Sequence, residues 1–116
     1  MQFAALKNSK AKLWVEGRKN TFEYLEQNIS ESEEIIWIHA SSLGEFEQAR
    51  PLIETIKNEY SKYKVLVTFY SPSGYEVRKD FPQTDYVCYL PLDTQKNANR
   101  FVELINPAFT FFVKIK

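Results

Sequence analysis

Four short apolar runs, at residues 35–40, 64–69, 86–90 and 108–113, alternate with stretches of helical period. This alternation limits the fold more than any other feature of the sequence. The first run, Ile35-Ile36-Trp37-Ile38-His39-Ala40, is almost unbroken in apolar character, as suits a strand covered on both faces. Residues 44–60 place Phe46, Ala49, Leu52, Ile53 and Ile56 on one stripe with Glu45, Glu47, Gln48 and Arg50 off it, which predicts an amphipathic helix. Pro51 lacks a backbone donor, so a kink or a fresh helical start is expected there. Ser71-Pro72-Ser73-Gly74 predicts a turn into a short helix ending near Phe81. Residues 94–105 predict a further helix with Ala98, Phe101, Val102 and Ile105 inward. Strands joined by helices of these lengths imply right-handed βαβ crossovers and a parallel sheet with flanking helices, an α/β fold.

Ahead of the first strand, Asn20 or Thr21 can cap a helix in which Phe22, Leu25 and Ile29 recur at helical spacing. Ser30-Glu31-Ser32-Glu33-Glu34 reads as a polar break. The expected division is a leading segment, residues 1–30, and a main domain, residues 31–116. At 116 residues and 44% hydrophobic content the chain can bury a core. Its formal net charge of zero gives no support to nucleic-acid binding, which needs excess Lys and Arg against phosphate. The charge is nevertheless unevenly placed. Residues 1–20 hold Lys7, Lys10, Lys12, Arg18 and Lys19 against Glu16, while residues 21–60 hold nine Glu against Arg50 and Lys57. Two readings fit the basic segment with its Trp14: contact with an anionic membrane surface, or a solvated helix face with one buried ring. No run approaches the ~20 apolar residues of a membrane span. Met1 to Leu6 show no signal peptide. Cys88 is the single cysteine, which excludes an internal disulfide and fits a reducing compartment. Its apolar neighbours make it core filler rather than a nucleophile.

Ligands of an open parallel sheet gather at the carboxyl ends of the strands. Three loops qualify: residues 40–45, residues 70–74, and Pro91-Leu92-Asp93. In the first, Ser41, Ser42 and Gly44 lead straight into a helix whose first turn carries Glu45. A helix amino-terminus ordinarily attracts an anion, but a fixed carboxylate there repels phosphate. Two roles remain open to Glu45: a charge that complements the helix dipole, or a base that accepts a proton from a sugar hydroxyl. His39 is either a hydrogen-bonded structural group beside Trp37 or a ligand contact. Arg50 is either solvated or paired with a substrate phosphate. Ser71, Ser73 and Gly74 form a turn and cap, or contact a sugar or phosphate. The glycine-rich dinucleotide fingerprint and the P-loop are absent from the sequence.

The nine residues from Trp37 to Glu45, Trp-Ile-His-Ala-Ser-Ser-Leu-Gly-Glu, resemble the signature of the Kdo transferases. These enzymes attach 3-deoxy-D-manno-octulosonic acid (Kdo) to lipid A precursors in lipopolysaccharide synthesis. Three further blocks fit in order: Lys12-Leu13-Trp14-Val15-Glu16-Gly17-Arg18, then Val65-Leu66-Val67-Thr68 with Ser71-Pro72-Ser73-Gly74, then Tyr89-Leu90-Pro91-Leu92-Asp93. The Ser-x-Gly-Glu core alone is unspecific; four blocks in order are not. The resemblance implies a GT-B architecture of two Rossmann-like domains. The amino-terminal one faces the lipid A precursor, and the carboxyl-terminal one holds the CMP-Kdo donor. It implies that Glu45 is the general base, that neither metal nor cofactor is needed, and that the parent enzyme works on the cytoplasmic face of the inner membrane of a Gram-negative bacterium. Family members usually begin with a hydrophobic anchor, whereas here Met1 to Leu6 precede the basic segment. The family's acidic, Trp-containing motif does not follow the fourth strand, where the sequence reads Val113-Lys114-Ile115-Lys116. The expectation is a truncated amino-terminal half, inactive alone. The competing reading is a non-catalytic α/β binding or interaction module.

Overall fold

The computed structural model describes residues 20–70, 81–91 and 94–114. A helix over residues 20–28 (α1) is followed by β1 (Glu34–Ala40), α2 (Leu43–Glu59), β2 (Tyr63–Phe69), β3 (Tyr86–Tyr89), α3 (Gln95–Ile105) and β4 (Phe109–Val113). The strands form one parallel sheet in the order β3-β2-β1-β4. This is the α/β arrangement that the alternation of runs implies. The short helix expected before Phe81 and the basic segment at residues 7–19 lie outside the described residues.

Alternation along the strands sorts the core into two layers. Ile36, Ile38 and Ala40 point to the α2 side, where Val65, Val67, Phe69 and Val87 meet Phe46, Ala49, Ile53 and Ile56. Ile35, Trp37, Leu66 and Cys88 point to the other side and pack on Phe22 and Leu25 of α1 and on Phe101 and Ile105 of α3. Helices on both faces explain why the first run lacks polar alternation. α1 also closes the edge at β3: the Thr21 hydroxyl donates to the Tyr89 carbonyl at 2.8 Å, and the Val87 N–H donates to the Tyr24 hydroxyl at 3.2 Å.

Of the two outcomes expected at Pro51, the fresh start does not occur, since α2 runs through it as one helix. Pro51 sits on the exposed side of the helix, where a missing backbone donor costs least. In α3, Phe101 and Ile105 are buried, but Ala98 is exposed and Val102 is 48% exposed. The apolar stripe of α3 is wider than the face the sheet offers it. Ala98 and Val102 instead border an open groove shared with Leu90, Trp37 and Phe112. The helix stops at Asn106, which takes the left-handed conformation (φ 41°) and donates its N–H to the Val102 carbonyl at 2.8 Å before Pro107.

Asp85 ties the amino-terminal ends of β2 and β3 together. Its Oδ2 accepts from the Lys57 ammonium at 2.8 Å and from the Val65 N–H at 2.7 Å, while its own N–H donates to the Val65 carbonyl at 3.0 Å. Both side chains of the ion pair are 22% exposed, so solvent screens it only partly. Asp85→Ala removes two charge-assisted bonds and is expected to destabilise the fold by about 1.5–3 kcal/mol. A urea titration followed by circular dichroism checks this. A loss within ~0.5 kcal/mol, as for an ordinary surface change, would show that the clasp contributes nothing.

Candidate functional site at the carboxyl end of β1

The strand order reverses between β1 and β4, since β2 and β3 lie on one side of β1 and β4 on the other. Such a switch point opens a crevice beyond the strand ends. The residues at the end of β1, His39 to Glu45, therefore occupy the place where this architecture receives a ligand.

Local chemistry fixes the turn from β1 into α2. Ser42 is extended (φ −142°, ψ 171°) and caps the helix: its carbonyl accepts the Phe46 N–H at 3.0 Å, and its Oγ faces the Glu45 N–H at 3.5 Å. The Ser42 hydroxyl in turn donates to Glu45 Oε1 at 3.3 Å. Ser42 and Glu45 stand at capping-box spacing, a signal present in the sequence and not used in reading it. Glu45 is half-buried, and no hydrogen bond reaches its Oε2 from the described residues. One carboxylate oxygen is thus tied to the helix cap. Gly44, on the same first turn, is exposed.

On the opposite side of the turn, His39 is linked to the sheet interior. Its Nδ1 lies 2.8 Å from the Thr68 hydroxyl, which also accepts the Trp37 indole N–H at 2.8 Å. The other ring nitrogen, Nε2, faces Ser41 Oγ at 3.4 Å. Burial lowers the His39 pKa below its ordinary value, against smaller opposing pulls from the Glu45 charge and the Thr68 backbone. The structural reading of His39 as a hydrogen-bonded partner in the Trp37 neighbourhood therefore holds. Thr68 itself was missed. Its signal is that Trp37 and His39 share one face of a strand, so their ring nitrogens need a polar partner on the neighbouring strand.

The structure brings Ser41, Ser42, Gly44 and Glu45 together. Arg50 lies further along α2, where it pairs with Glu47 Oε2 at 2.9 Å and stacks over the Phe81 ring at 5.3 Å. Ser71, Ser73 and Gly74 lie outside the described residues, as do Leu92 and Asp93 of the third loop. Cys88 is buried, and burial pushes its thiol well above the usual range, which matches a core residue and not a nucleophile. No helix among the described residues is long and apolar enough to cross a membrane.

A family model described as 3-deoxy-D-manno-octulosonic-acid transferase (kdotransferase) matches residues 16–115. Among curated relatives, the 3-deoxy-D-manno-octulosonic acid transferase of Haemophilus influenzae is 34% identical over 73 residues, covering 62% of this chain and 17% of that protein. The enzyme of the same name from Aquifex aeolicus is 36% identical over 77 residues, covering 62% of this chain and 20% of that protein. A bifunctional glycosyltransferase/methyltransferase of Fusobacterium nucleatum is 33% identical over 86 residues, covering 70% and 13%. The chain thus spans a fifth or less of the length of these relatives. No solved structure matches it. A match over nearly the whole chain, together with a signature that lies at the switch point, places this chain in the 3-deoxy-D-manno-octulosonic-acid transferase family of glycosyltransferases.

Proposed function

We propose that this chain belongs to the amino-terminal, acceptor-binding domain of a glycosyltransferase that moves Kdo from CMP-Kdo to a lipid A precursor in lipopolysaccharide synthesis. The observation that carries the reading is the Glu45 carboxylate at the switch point, with one oxygen anchored by Ser42. In the reaction, the acceptor hydroxyl gives its proton to Glu45. Its oxygen forms a bond to the anomeric carbon of Kdo, the bond from that carbon to the phosphate oxygen breaks, and CMP leaves with the electron pair. No metal or cofactor enters this step. Ser41, Ser42 and Gly44 border the reacting hydroxyl, and Ser71, Ser73 and Gly74 serve the acceptor from the second loop. Arg50 reaches an acceptor phosphate by exchanging its Glu47 partner, a half-exposed pair that costs little to open.

The donor belongs to a carboxyl-terminal domain of a longer enzyme. The broad exposure of Phe109, Phe111 and Phe112 on β4 fits a sheet that further elements would cover. The basic stretch from Lys7 to Lys19 would rest on the anionic cytoplasmic face of the inner membrane. One observation favours the competing reading of a binding module: the Ser42–Glu45 pair is sufficient as a helix cap without any chemistry.

A transfer assay on a lipid A precursor held in anionic vesicles tests the proposal. The full-length enzyme is expected to transfer Kdo from CMP-Kdo at a rate that falls with added salt, because the charge attraction is screened over ~10 Å at moderate ionic strength. The 116-residue chain alone is expected to give none, since both substrates must be oriented in one cleft. Turnover by the chain alone, or a full-length enzyme without Kdo transfer, contradicts the proposal.

A further inference from the structure

We infer that His39 is a neutral Nε2–H donor to the oxygen of a sugar hydroxyl at the mouth of β1, locked in that tautomer by the buried Trp37–Thr68 pair. The ligand class rests on the glycosyltransferase reading above; the tautomer does not.

Thr68 is fully buried on the central strand β2. A threonine hydroxyl has one proton to donate and two lone pairs. The Trp37 indole can only donate, so at 2.8 Å it occupies one lone pair of Thr68 Oγ1. The hydroxyl proton must then go elsewhere, because buried polar hydrogens are almost always paired. The remaining side-chain partner of Thr68 is His39 Nδ1, also at 2.8 Å. With the Thr68 proton donated to Nδ1, that nitrogen presents its lone pair and the ring proton resides on Nε2. The opposite tautomer would turn Nδ1 into a donor and take from the buried Thr68 proton its side-chain acceptor. An imidazolium would do the same, so the network and the burial of the ring both favour the neutral form. The Thr68 backbone and the Glu45 charge pull the other way, towards a proton on the ring.

Nε2–H emerges on the crevice side beside Ser41 Oγ at 3.4 Å, a long contact that a ligand oxygen can displace. From β4, Phe112 sets its ring edge-on at 6.0 Å, bringing an apolar wall and no charge to the imidazole. Glu45 follows at the same strand end, near enough for its charge to act on the ring. A group that gives a proton to Glu45 while accepting a hydrogen bond from His39 is a hydroxyl. As its proton leaves, the negative charge that builds on the oxygen would face a fixed, uncharged N–H donor.

His39 is the sole histidine, so a chain labelled with ¹⁵N-histidine reports it without ambiguity. At neutral pH the expected spectrum shows a protonated Nε2 and an unprotonated Nδ1. Thr68→Ser should keep that pattern, and Thr68→Val should give mixed tautomers. A protonated Nδ1, or an imidazolium, in the unsubstituted chain overturns the inference whether or not Thr68→Val folds. Titration with methyl glucosaminide, a simple hydroxyl-bearing probe, is expected to move the Nε2–H signal; an unmoved signal overturns the ligand role. In the full-length enzyme, His39→Ala is expected to lower kcat by ~10²–10³-fold with little change in KM for the acceptor. An unaltered kcat would overturn it. If Nε2–H responds to the probe while the full-length enzyme transfers no Kdo, the proposed function fails and this inference stands.

Discussion

Glu45→Gln in the full-length enzyme is expected to lower turnover by ~10²–10⁴-fold, the usual worth of a general base. The substitution keeps the size of the side chain. Its amide oxygen can still accept the Ser42 hydroxyl that Glu45 Oε1 accepts at 3.3 Å, so the helix cap survives. What is lost, on the proposed function, is the carboxylate that takes the proton. Melting temperature and acceptor affinity should stay nearly unchanged. If Glu45 only complements the helix dipole, the pattern inverts: stability falls by ~0.3–1 kcal/mol and turnover stays near that of the unsubstituted enzyme. Measuring both quantities on the same variant separates these outcomes, and full turnover would end the assignment of Glu45 as base.

One position further along, the expected effect is entirely on folding. Phe46 is fully buried under the α2 face of the sheet, with ring centroids 5.5 Å from Phe69 and 5.3 Å from Phe81. Phe46→Ala empties that position and should cost about 3–5 kcal/mol. Since small domains hold only about 5–15 kcal/mol in total, this is a large fraction of their stability. The urea midpoint is expected to drop sharply with an unchanged slope, because the surface exposed on unfolding is nearly the same. A shift below ~1 kcal/mol would mean that Phe46 does not anchor α2. The contrast between neighbours follows from helical geometry: Phe46 faces the sheet, and Glu45, about 100° around the axis, is turned off that face.

The strands and helices were legible because period and length are written into single segments. Ile35 to Ala40 had no reason to be so uniformly apolar unless both faces were covered, and they are. The grouping of Ser41, Ser42, Gly44 and Glu45 was legible for the same reason, since four neighbours at one strand end cannot be far apart. What depends on distant residues was not legible. The Asp85 clasp joins α2 to the start of β3, and no local pattern announces it. Thr68 acquires its role only when the register sets it opposite His39. The outward turn of Ala98 and Val102 reflects how much face the sheet offers α3, which periodicity does not encode. Arg50, adjacent to the signature in sequence, is carried along α2 to Glu47 and Phe81.

On the proposed function, this amino-terminal part of the enzyme receives the acceptor and not the donor. Equilibrium binding of the two substrates to the 116-residue chain tests that claim most directly. The chain is expected to bind a detergent-solubilised lipid A precursor, with binding weakened by salt, and to leave CMP-Kdo unbound. Specific binding of CMP-Kdo to this chain, or no binding of the lipid A precursor, would contradict it.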